Sequence, residues 1–236
     1  MKAEFHVHTR YSKDSIMPLW LLFVVCKLKH IKCIAITDHN EIAGALKFKK
    51  RYQKHGIDVI IGEEIFTSDG EIIGLFLTEK IPAKLSALET INEIKKQHGL
   101  IYIPHPYDEK RYKTVIDASV LEKIADEVDF IECHNGRNIK KEFSDKQNDI
   151  CNKYNKTKIV GSDAHTFIEL GRNYLVINGC SKEHLKDEVA NAKFIKKRCL
   201  KIAHFITKIS KAIKLLLKGD INELCRIINR KIKRRK

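Results

Sequence analysis

Histidine and carboxylate residues recur in short groups that each follow an apolar stretch of the chain. In chain order, the groups are His6-Val7-His8, Asp14, Thr37-Asp38-His39, Gly62-Glu63-Glu64, Pro104-His105-Pro106, Cys133-His134-Asn135 and Asp163-Ala164-His165. Residues two apart in a β-strand point to the same side, so His6 and His8 share one side, as do Asp163 and His165. Imidazoles and carboxylates gathered in one place bind divalent transition metals, so the pattern indicates metal-assisted chemistry.

Each group alone carries little weight. An HxH pair or a histidine between two prolines is more often structural, and Glu63-Glu64 alone would fit a solvated strand end. Together the groups are harder to explain without a ligand, because burying an ionisable group that lacks a partner lowers the stability of the fold by several kcal/mol. Bound metal ions would offset that cost, and the whole set therefore favours a metal centre.

Strand and helix patterns alternate through the first three quarters of the chain. Short apolar, β-branched segments predict strands at 3–8, 32–37, 59–65, 72–77, 100–103, 130–133 and 158–161. Helical periodicity lies between them at 18–30, 41–55, 85–98, 120–126 and 139–153. Such alternation predicts a parallel sheet covered by helices. Ligands at successive strand ends favour a closed or nearly closed β/α barrel over the alternative, an open doubly wound sheet.

The ordered motifs HxH, a downstream Asp, TDH, GxE, PHP and SDAH resemble those of the PHP (polymerase and histidinol phosphatase) family over residues 3–180. The resemblance implies an α/β fold, a distorted (β/α)7 barrel, and up to three divalent metal ions, with Mn, Fe and Zn not separable. It also divides the chain into a phosphoesterase domain, 1–180, and a basic helical extension, 181–236, similar to the C-terminal extension of some bacterial members.

The resemblance also implies the ligand set. One metal ion would be held by His6, His8, Glu64 and Asp163; a second would share Glu64 and add His105 and His134; a third would take Asp14, His39 and His165. Glu64, His105, Asp163 and His165 would stand at the reacting centre. Glu64 is preferred to Glu63 because Gly62 sets the GxE register. Two positions depart from many relatives: His134 stands where an aromatic residue is common, and Gly70–Gly74 reads GEIIG where some carry a histidine.

The resemblance implies phosphoester hydrolysis, and we expect the substrate to be a phosphomonoester, either a nucleotide or a phosphorylated metabolite. The ligand set would allow attack by a hydroxide that bridges two metal ions. Arg137 and Arg172 follow strand-end motifs and are the candidates for binding the substrate phosphate, although an ordinary ion pair would explain either arginine as well. Lys110 and Arg111 are weaker candidates. Asp38 would either fix the ring of His39 or a neighbouring backbone group, or lie on the surface.

The C-terminal end is predicted to be helical and basic. Apolar residues at helical spacing, with Lys and Arg on the other face, predict an amphipathic helix at 194–218, and a second basic helix is predicted at 221–232. The positive charge of the chain is concentrated at this end. The net charge is +15, and the residues from Ser181 onward contribute 18 Lys and Arg against 5 Asp and Glu. This part fits a solvated helix face, attraction of RNA or DNA, or adhesion to an anionic membrane surface. Attraction of nucleic acid would favour the alternative function, a nuclease or nucleic-acid-binding protein built on the same domain.

The cysteines and the hydropathy of the chain indicate the cellular compartment that we expect for it. The seven cysteines form no CxxC pair, which indicates reduced thiols rather than a disulfide frame. The longest apolar run, residues 16–26, falls short of the ~20 residues that a membrane span needs. We therefore expect a soluble, cytoplasmic protein with no transmembrane segment.

Overall fold

A computed structural model of the chain describes residues 1–111, 113–217, 219, 220, 222, 223 and 226. One twisted sheet forms its centre, and its strands in chain order are β1 (Lys2–Val7), β2 (Ile31–Ile36), β3 (Asp58–Thr67), β4 (Gly70–Leu75), β5 (Leu100–Ile103), β6 (Phe130–Asn135), β7 (Thr157–Gly161), β8 (Tyr174–Val176) and β9 (Lys193–Ile195). The helices are α1 (Leu19–Leu28), α2 (Ala43–Tyr52), α3 (Ala87–Lys96), α4 (Ala118–Ile124), α5 (Lys141–Lys153), α6 (Leu185–Ala190) and α7 (Lys201–Leu217).

The strands are ordered β7-β6-β5-β4-β3-β2-β1-β8-β9, so β1 to β7 follow one another around the sheet. Neighbours in this run are parallel except for β4, which is antiparallel to both β3 and β5. The run nearly closes on itself. The N–H of His8 donates to the Ala164 carbonyl at 2.8 Å, and the Ala164 N–H donates to the His6 carbonyl at 3.2 Å. The expectation of a distorted, nearly closed α/β barrel is therefore confirmed.

Apolar side chains fill both faces of the sheet. One core cluster includes Phe5, Tyr102 and Phe130, and a second lies under α1 and α2 around Leu22 and Phe48. Because strand residues alternate between the faces, the buried apolar runs of β2 and β3 pack on both sides, as expected for parallel strands covered by helices. The polar strand ends then meet at one end of the barrel.

The C-terminal part differs from the sequence prediction in detail. A helix was expected from residue 194, whereas residues 193–195 form β9, which pairs with β8. Strands of three residues are too short to show alternation, which explains why neither was predicted. Helix α7 begins at Lys201, and most of the second helix predicted at 221–232 lies outside the described residues. Within the described part of the chain, no helix is both long and apolar enough to cross a membrane.

Candidate metal centre

Eight of the nine predicted ligands come together where the barrel strands end. They are His6, His8, Asp14, His39, Glu64, His105, Asp163 and His165, and the strand-end residues among them are almost completely buried. Within this cluster several sets of three ligand atoms lie within 4.8 Å of one another, among them His6 with His8 and Asp163, and His6 with Glu64 and His105. Such a spacing allows a shared metal ion.

Glu64 lies at the centre of the cluster. Its Oε1 is 3.0 Å from His105 Nε2 and 3.4 Å from His6 Nε2, and its Oε2 is 2.9 Å from His39 Nδ1 and 3.3 Å from His8 Nε2. A carboxylate with two oxygens facing different histidines is suited to bridge two ions. Glu63 points to the other side of β3, where it accepts a hydrogen bond from the Ile81 N–H.

Hydrogen bonds fix the tautomers of His6 and His8. The Nδ1–H of His6 faces Glu132 Oε1 at 3.1 Å, and an ionised carboxylate can only accept. The Ser12 hydroxyl donates its proton to Asp38 at 2.8 Å, so at 3.0 Å it accepts from the Nδ1–H of His8. Both rings therefore carry the proton on Nδ1 and present the Nε2 lone pair to the cluster, as metal-binding histidines do.

Asp38 contacts the residues that support the cluster rather than the ligands themselves. It is buried and accepts from the Thr9 N–H and hydroxyl, at 2.6 Å each, as well as from Ser12. Its contacts thus hold the loop after β1 and, through Ser12, the ring of His8. The surface position considered for Asp38 is wrong. Asp38 holds a nearby backbone group, the Thr9 N–H, as the second alternative expected, and it orients the ring of His8 rather than that of His39.

Asp14 and His165 form the outer part of the cluster. Asp14 Oδ1 is 3.2 Å from His165 Nε2, and its Oδ2 is 3.6 Å from His39 Nε2. His165 Nδ1 donates to the Asp163 carbonyl oxygen at 2.9 Å. Burial disfavours the charged imidazole, but Asp14 outweighs it and raises the pKa of His165 to about 9. The three side chains can gather around one cation.

The electrostatics of the cluster fit metal binding. Burial opposes ionisation of Glu64 and Asp163, yet His39 and His6 beside Glu64, and Arg111 and His6 beside Asp163, hold both carboxyl pKa values well below their usual range. Burial and the neighbouring His165 and His39 lower the pKa of His8.

Several buried polar atoms of the described cluster residues, and one of the neighbouring Glu71, lie close to one another but do not have the geometry of a hydrogen bond: His6 Nε2, His8 Nε2, His39 Nδ1, His105 Nδ1, Asp14 Oδ1, Glu64 Oε2 and Glu71 Oε1. Buried polar groups usually have partners, since an unsatisfied one costs roughly 1–3 kcal/mol. Nitrogen and carboxylate donors that face one another without partners fit two or three divalent ions, and this donor set suits Mn, Fe or Zn.

Glu71 is a candidate ligand that the sequence reasoning missed. It is buried on β4, with Oε1 3.6 Å from His39 Nδ1 and Oε2 3.5 Å from His105 Nε2, and it forms a possible metal-binding set with His39 and Glu64. The signal was present in the sequence, because Glu71 is the acidic residue of the GEIIG segment where some relatives carry a histidine.

His134 does not join the cluster. Its Nδ1 lies 2.8 Å from Ser144 Oγ and its Nε2 lies 3.2 Å from Asn173 Oδ1. The register of β6 against β7 shifts between Glu132 and His134, and this bulge turns Asn135, rather than His134, toward the site. Asn135 Nδ2 donates to Glu132 at 2.9 Å and to Asp163 at 3.2 Å. Strict alternation could not reveal the bulge.

Glu132 organises the inner side of the centre. Besides His6, it accepts from the backbone N–H of His105 at 2.6 Å, from Asn135 and from the hydroxyl of Tyr102. Four donors thus converge on one buried carboxylate, which explains how it stays ionised. Its pKa lies below the usual value because the hydrogen bond and charge of His6 outweigh burial.

A cavity of about 730 Å³ opens over the outer part of the cluster. Asp14, His39, Glu71 and His165 line it on the metal-centre side. The rest of the lining contains one acidic residue, Asp108, and six cationic side chains: Lys13, Lys110, Arg111, Arg137, Lys201 and Lys208. A cavity with carboxylates and imidazoles at its base and six cations around it is suited to an anionic ligand.

The arginines differ in their placement. Arg137 is 5% exposed, lines the cavity, and is held by Thr207 Oγ1 at 3.1 Å and Glu169 at 3.5 Å. Arg111 lines it too and donates to Asp163 Oδ2 at 2.6 Å. Arg172 is not among the residues that line this cavity, and its Nη2 donates to the Arg198 carbonyl oxygen at 3.1 Å.

Comparison with known proteins shows the family. The PHP domain matches residues 4–173. The uncharacterized protein MJ0417 of Methanocaldococcus jannaschii is 36% identical over 197 residues, covering 83% of this chain and 78% of that protein. The uncharacterized protein MJ1587 of the same organism is 48% identical over 117 residues, covering 45% of this chain and 68% of that protein.

Solved structures share the fold. A two-domain protein of Bacteroides vulgatus, which contains a predicted PHP-like metal-dependent phosphoesterase, superposes with a TM-score of 0.68 at 19% identity over 83% of this chain; the match spans 65% of that protein. An amidohydrolase of Chromobacterium violaceum with bound sulfate superposes with a TM-score of 0.56 at 14% identity, covering 87% of this chain and 96% of that one.

Proposed function

This chain belongs to the PHP domain family, and we propose that it is a metal-dependent phosphatase that hydrolyses phosphomonoesters. The observation that carries the proposal is the cluster of eight imidazole and carboxylate side chains, several with partnerless buried atoms, at the base of a cation-lined cavity. Membership of the family already implies a phosphoesterase fold that uses divalent metal ions.

Divalent ions held by His6, His8, Glu64 and Asp163, with the outer ligands, would supply an activated water and neutralise charge on the phosphate. The protein contributes orientation. Glu132 and Ser12 keep the imidazoles in the tautomer that binds metal, and burial keeps bulk water from the inner ligands.

The cations of the cavity would bind the substrate phosphate. Arg137 is held rigidly by Thr207 and Glu169, so a bidentate contact with a phosphate would lose little side-chain entropy. Arg111 is tied to Asp163, a proposed ligand, and would hold a phosphate oxygen next to the metal centre. Their placement supports hydrolysis of a phosphate ester over other reactions of the fold.

The experiment is a phosphate-release assay on the purified protein loaded in turn with Mn, Fe and Zn. The panel contains nucleoside monophosphates, sugar phosphates and a single-stranded RNA oligonucleotide. We expect release from monoesters, its loss in EDTA, and its loss in Glu64→Gln. Cleavage of the oligonucleotide without release from any monoester would contradict the proposal and favour the nuclease alternative.

A further inference from the structure

Helix α7 has its apolar side turned away from the protein. The side that contacts the barrel is small or polar: Ala203 and Ser210 are buried, Thr207 accepts from Arg137, and Lys214 Nζ donates to the Arg10 carbonyl oxygen at 2.6 Å. These four residues are spaced by four, three and four positions, which is one face of an α-helix.

The opposite face carries large apolar side chains that are exposed. Phe205 is 62% exposed and Ile209 is 42% exposed, and the others on this face are Ile202, Ile213 and Leu216. Their spacing of three or four residues makes a continuous stripe along all four turns of α7. A helix that packs by its polar side and exposes its apolar side differs from the usual surface helix, and a run of exposed apolar residues of this kind marks an interaction surface.

Charge identifies the partner of this stripe. Between Glu188 and Asp220 the sequence contains nine Lys or Arg and no acidic residue. Lys201 and Lys208, which also line the cavity over the metal centre, precede and follow Phe205 by four and three positions, so they lie along the edge of the stripe that is next to the cavity. The surface is therefore apolar in its middle and cationic at its margin.

The same charge disfavours two other partners. A second copy of the chain would bring two basic helices into contact. Residues 219–236 of the chain itself contain seven Lys or Arg against two acidic residues, so their net charge has the same sign as that of α7. A nucleic acid would satisfy the lysines but would leave the aliphatic stripe exposed to water. An anionic phospholipid surface satisfies both features, since acyl chains take up the apolar side chains while head groups pair with the lysines.

We propose that the outer face of α7 binds the surface of a membrane that contains anionic phospholipids, with Phe205 and Ile209 inserted at the interface. The helix would lie parallel to the membrane, and the face that packs on the barrel would keep its contacts with Arg137 and the Arg10 carbonyl oxygen. This property goes beyond the proposed phosphatase activity and needs no bound metal.

Vesicle flotation with the chain of residues 1–236 tests the inference. The vesicles are phosphatidylcholine alone, or phosphatidylcholine mixed with phosphatidylglycerol, and EDTA is present so that divalent ions cannot bridge protein and lipid. We expect binding to the mixed vesicles at least about tenfold tighter than to phosphatidylcholine. Phe205→Ser/Ile209→Ser should lower that affinity by about tenfold or more, because two inserted apolar side chains are lost. The matched control is Leu88→Ser, which removes an exposed leucine from α3 and should leave binding unchanged.

A fluorescence variant reports on the location. Trp20 is the single tryptophan of the chain, so Trp20→Phe/Phe205→Trp moves the only indole to the stripe. A blue shift of its emission with mixed vesicles supports the inference. The inference is overturned if the protein does not bind the mixed vesicles, if the double serine variant binds as well as the wild type, or if the emission does not shift when the protein is bound. It is also overturned if the stripe proves to hold a dimer together or to bind single-stranded RNA in place of vesicles.

Discussion

Replacement of Glu132 by glutamine separates the positioning of the metal ligands from metal binding itself. Glutamine keeps the size of the side chain but has one acceptor oxygen, whereas Glu132 accepts from His6, Tyr102, the His105 N–H and Asn135. The new amide NH2 would face two donors. Each buried donor left without an acceptor costs roughly 1–3 kcal/mol, so we expect the free energy of unfolding to fall by about 2–6 kcal/mol.

The same change should weaken metal binding. His6 loses the charged partner that holds its proton on Nδ1, and loss of such a supporting group lowers metal affinity by about 10–100-fold. The assays are urea unfolding of the metal-free protein and titration with Mn or Zn. The matched control is Glu127→Gln, an exposed glutamate paired with Lys95, whose loss should change stability by less than about 1 kcal/mol.

A double-mutant cycle sharpens the test. Tyr102→Phe removes one of the four donors, so its cost should be smaller when Glu132 is already glutamine. The positioning role of Glu132 is refuted if Glu132→Gln unfolds at the same urea concentration as the wild type and binds Mn or Zn with unchanged affinity.

Three further predictions follow from single positions. A methyl group added at Gly161 would lie 1.6 Å from Glu132 Oε1, so Gly161→Ala should displace that carboxylate and lower metal affinity as Glu132→Gln does; wild-type affinity in a metal titration would contradict this. Burial raises the pKa of Glu4 to about 7, so this side chain contributes stability below pH 4.5 that is lost as the pH rises through 7. Because glutamine does not titrate, the advantage of Glu4→Gln over the wild type in urea unfolding should grow by about 2–3 kcal/mol between about pH 5 and pH 8, and a constant difference would refute the assignment. Arg137→Met should raise KM for a phosphomonoester by about tenfold or more, whereas Arg172→Met, whose side chain is away from the cavity, should leave KM unchanged; equal effects would contradict the placement of the two arginines.

The fold could be predicted from the sequence because its signals are local and repeated. Seven apolar strand patterns separated by helical ones define an alternating α/β chain, and a ligand at nearly every strand end leaves a barrel as the simplest way to bring them together. The predicted strand at 100–103 has the same limits as β5, and the predicted strand at 130–133 falls two residues short of the end of β6.

What the sequence could not show depends on register and on contacts far along the chain. The bulge in β6 exchanges His134 for Asn135 and leaves no mark in the pattern of side chains. In the sequence, Glu132 cannot be told apart from any other strand residue, because the four groups that donate hydrogen bonds to it come from distant parts of the chain or from its own strand end. Helix α7 was expected as an amphipathic helix, but the sequence does not show which of its faces packs on the barrel. The polar face does so, because Thr207 accepts a hydrogen bond from Arg137 and Lys214 donates one to the Arg10 carbonyl oxygen.

The proposed function requires that the clustered side chains hold the divalent metal ions that the reaction uses. Metal analysis of the purified, dialysed protein, with phosphate release measured on the same sample, tests it most directly. We expect two or three Mn, Fe or Zn ions per chain in the wild type, fewer in Glu64→Gln, and phosphate release that follows metal content. Wild-type protein that binds no divalent metal and hydrolyses no phosphoester after Mn is added would contradict it.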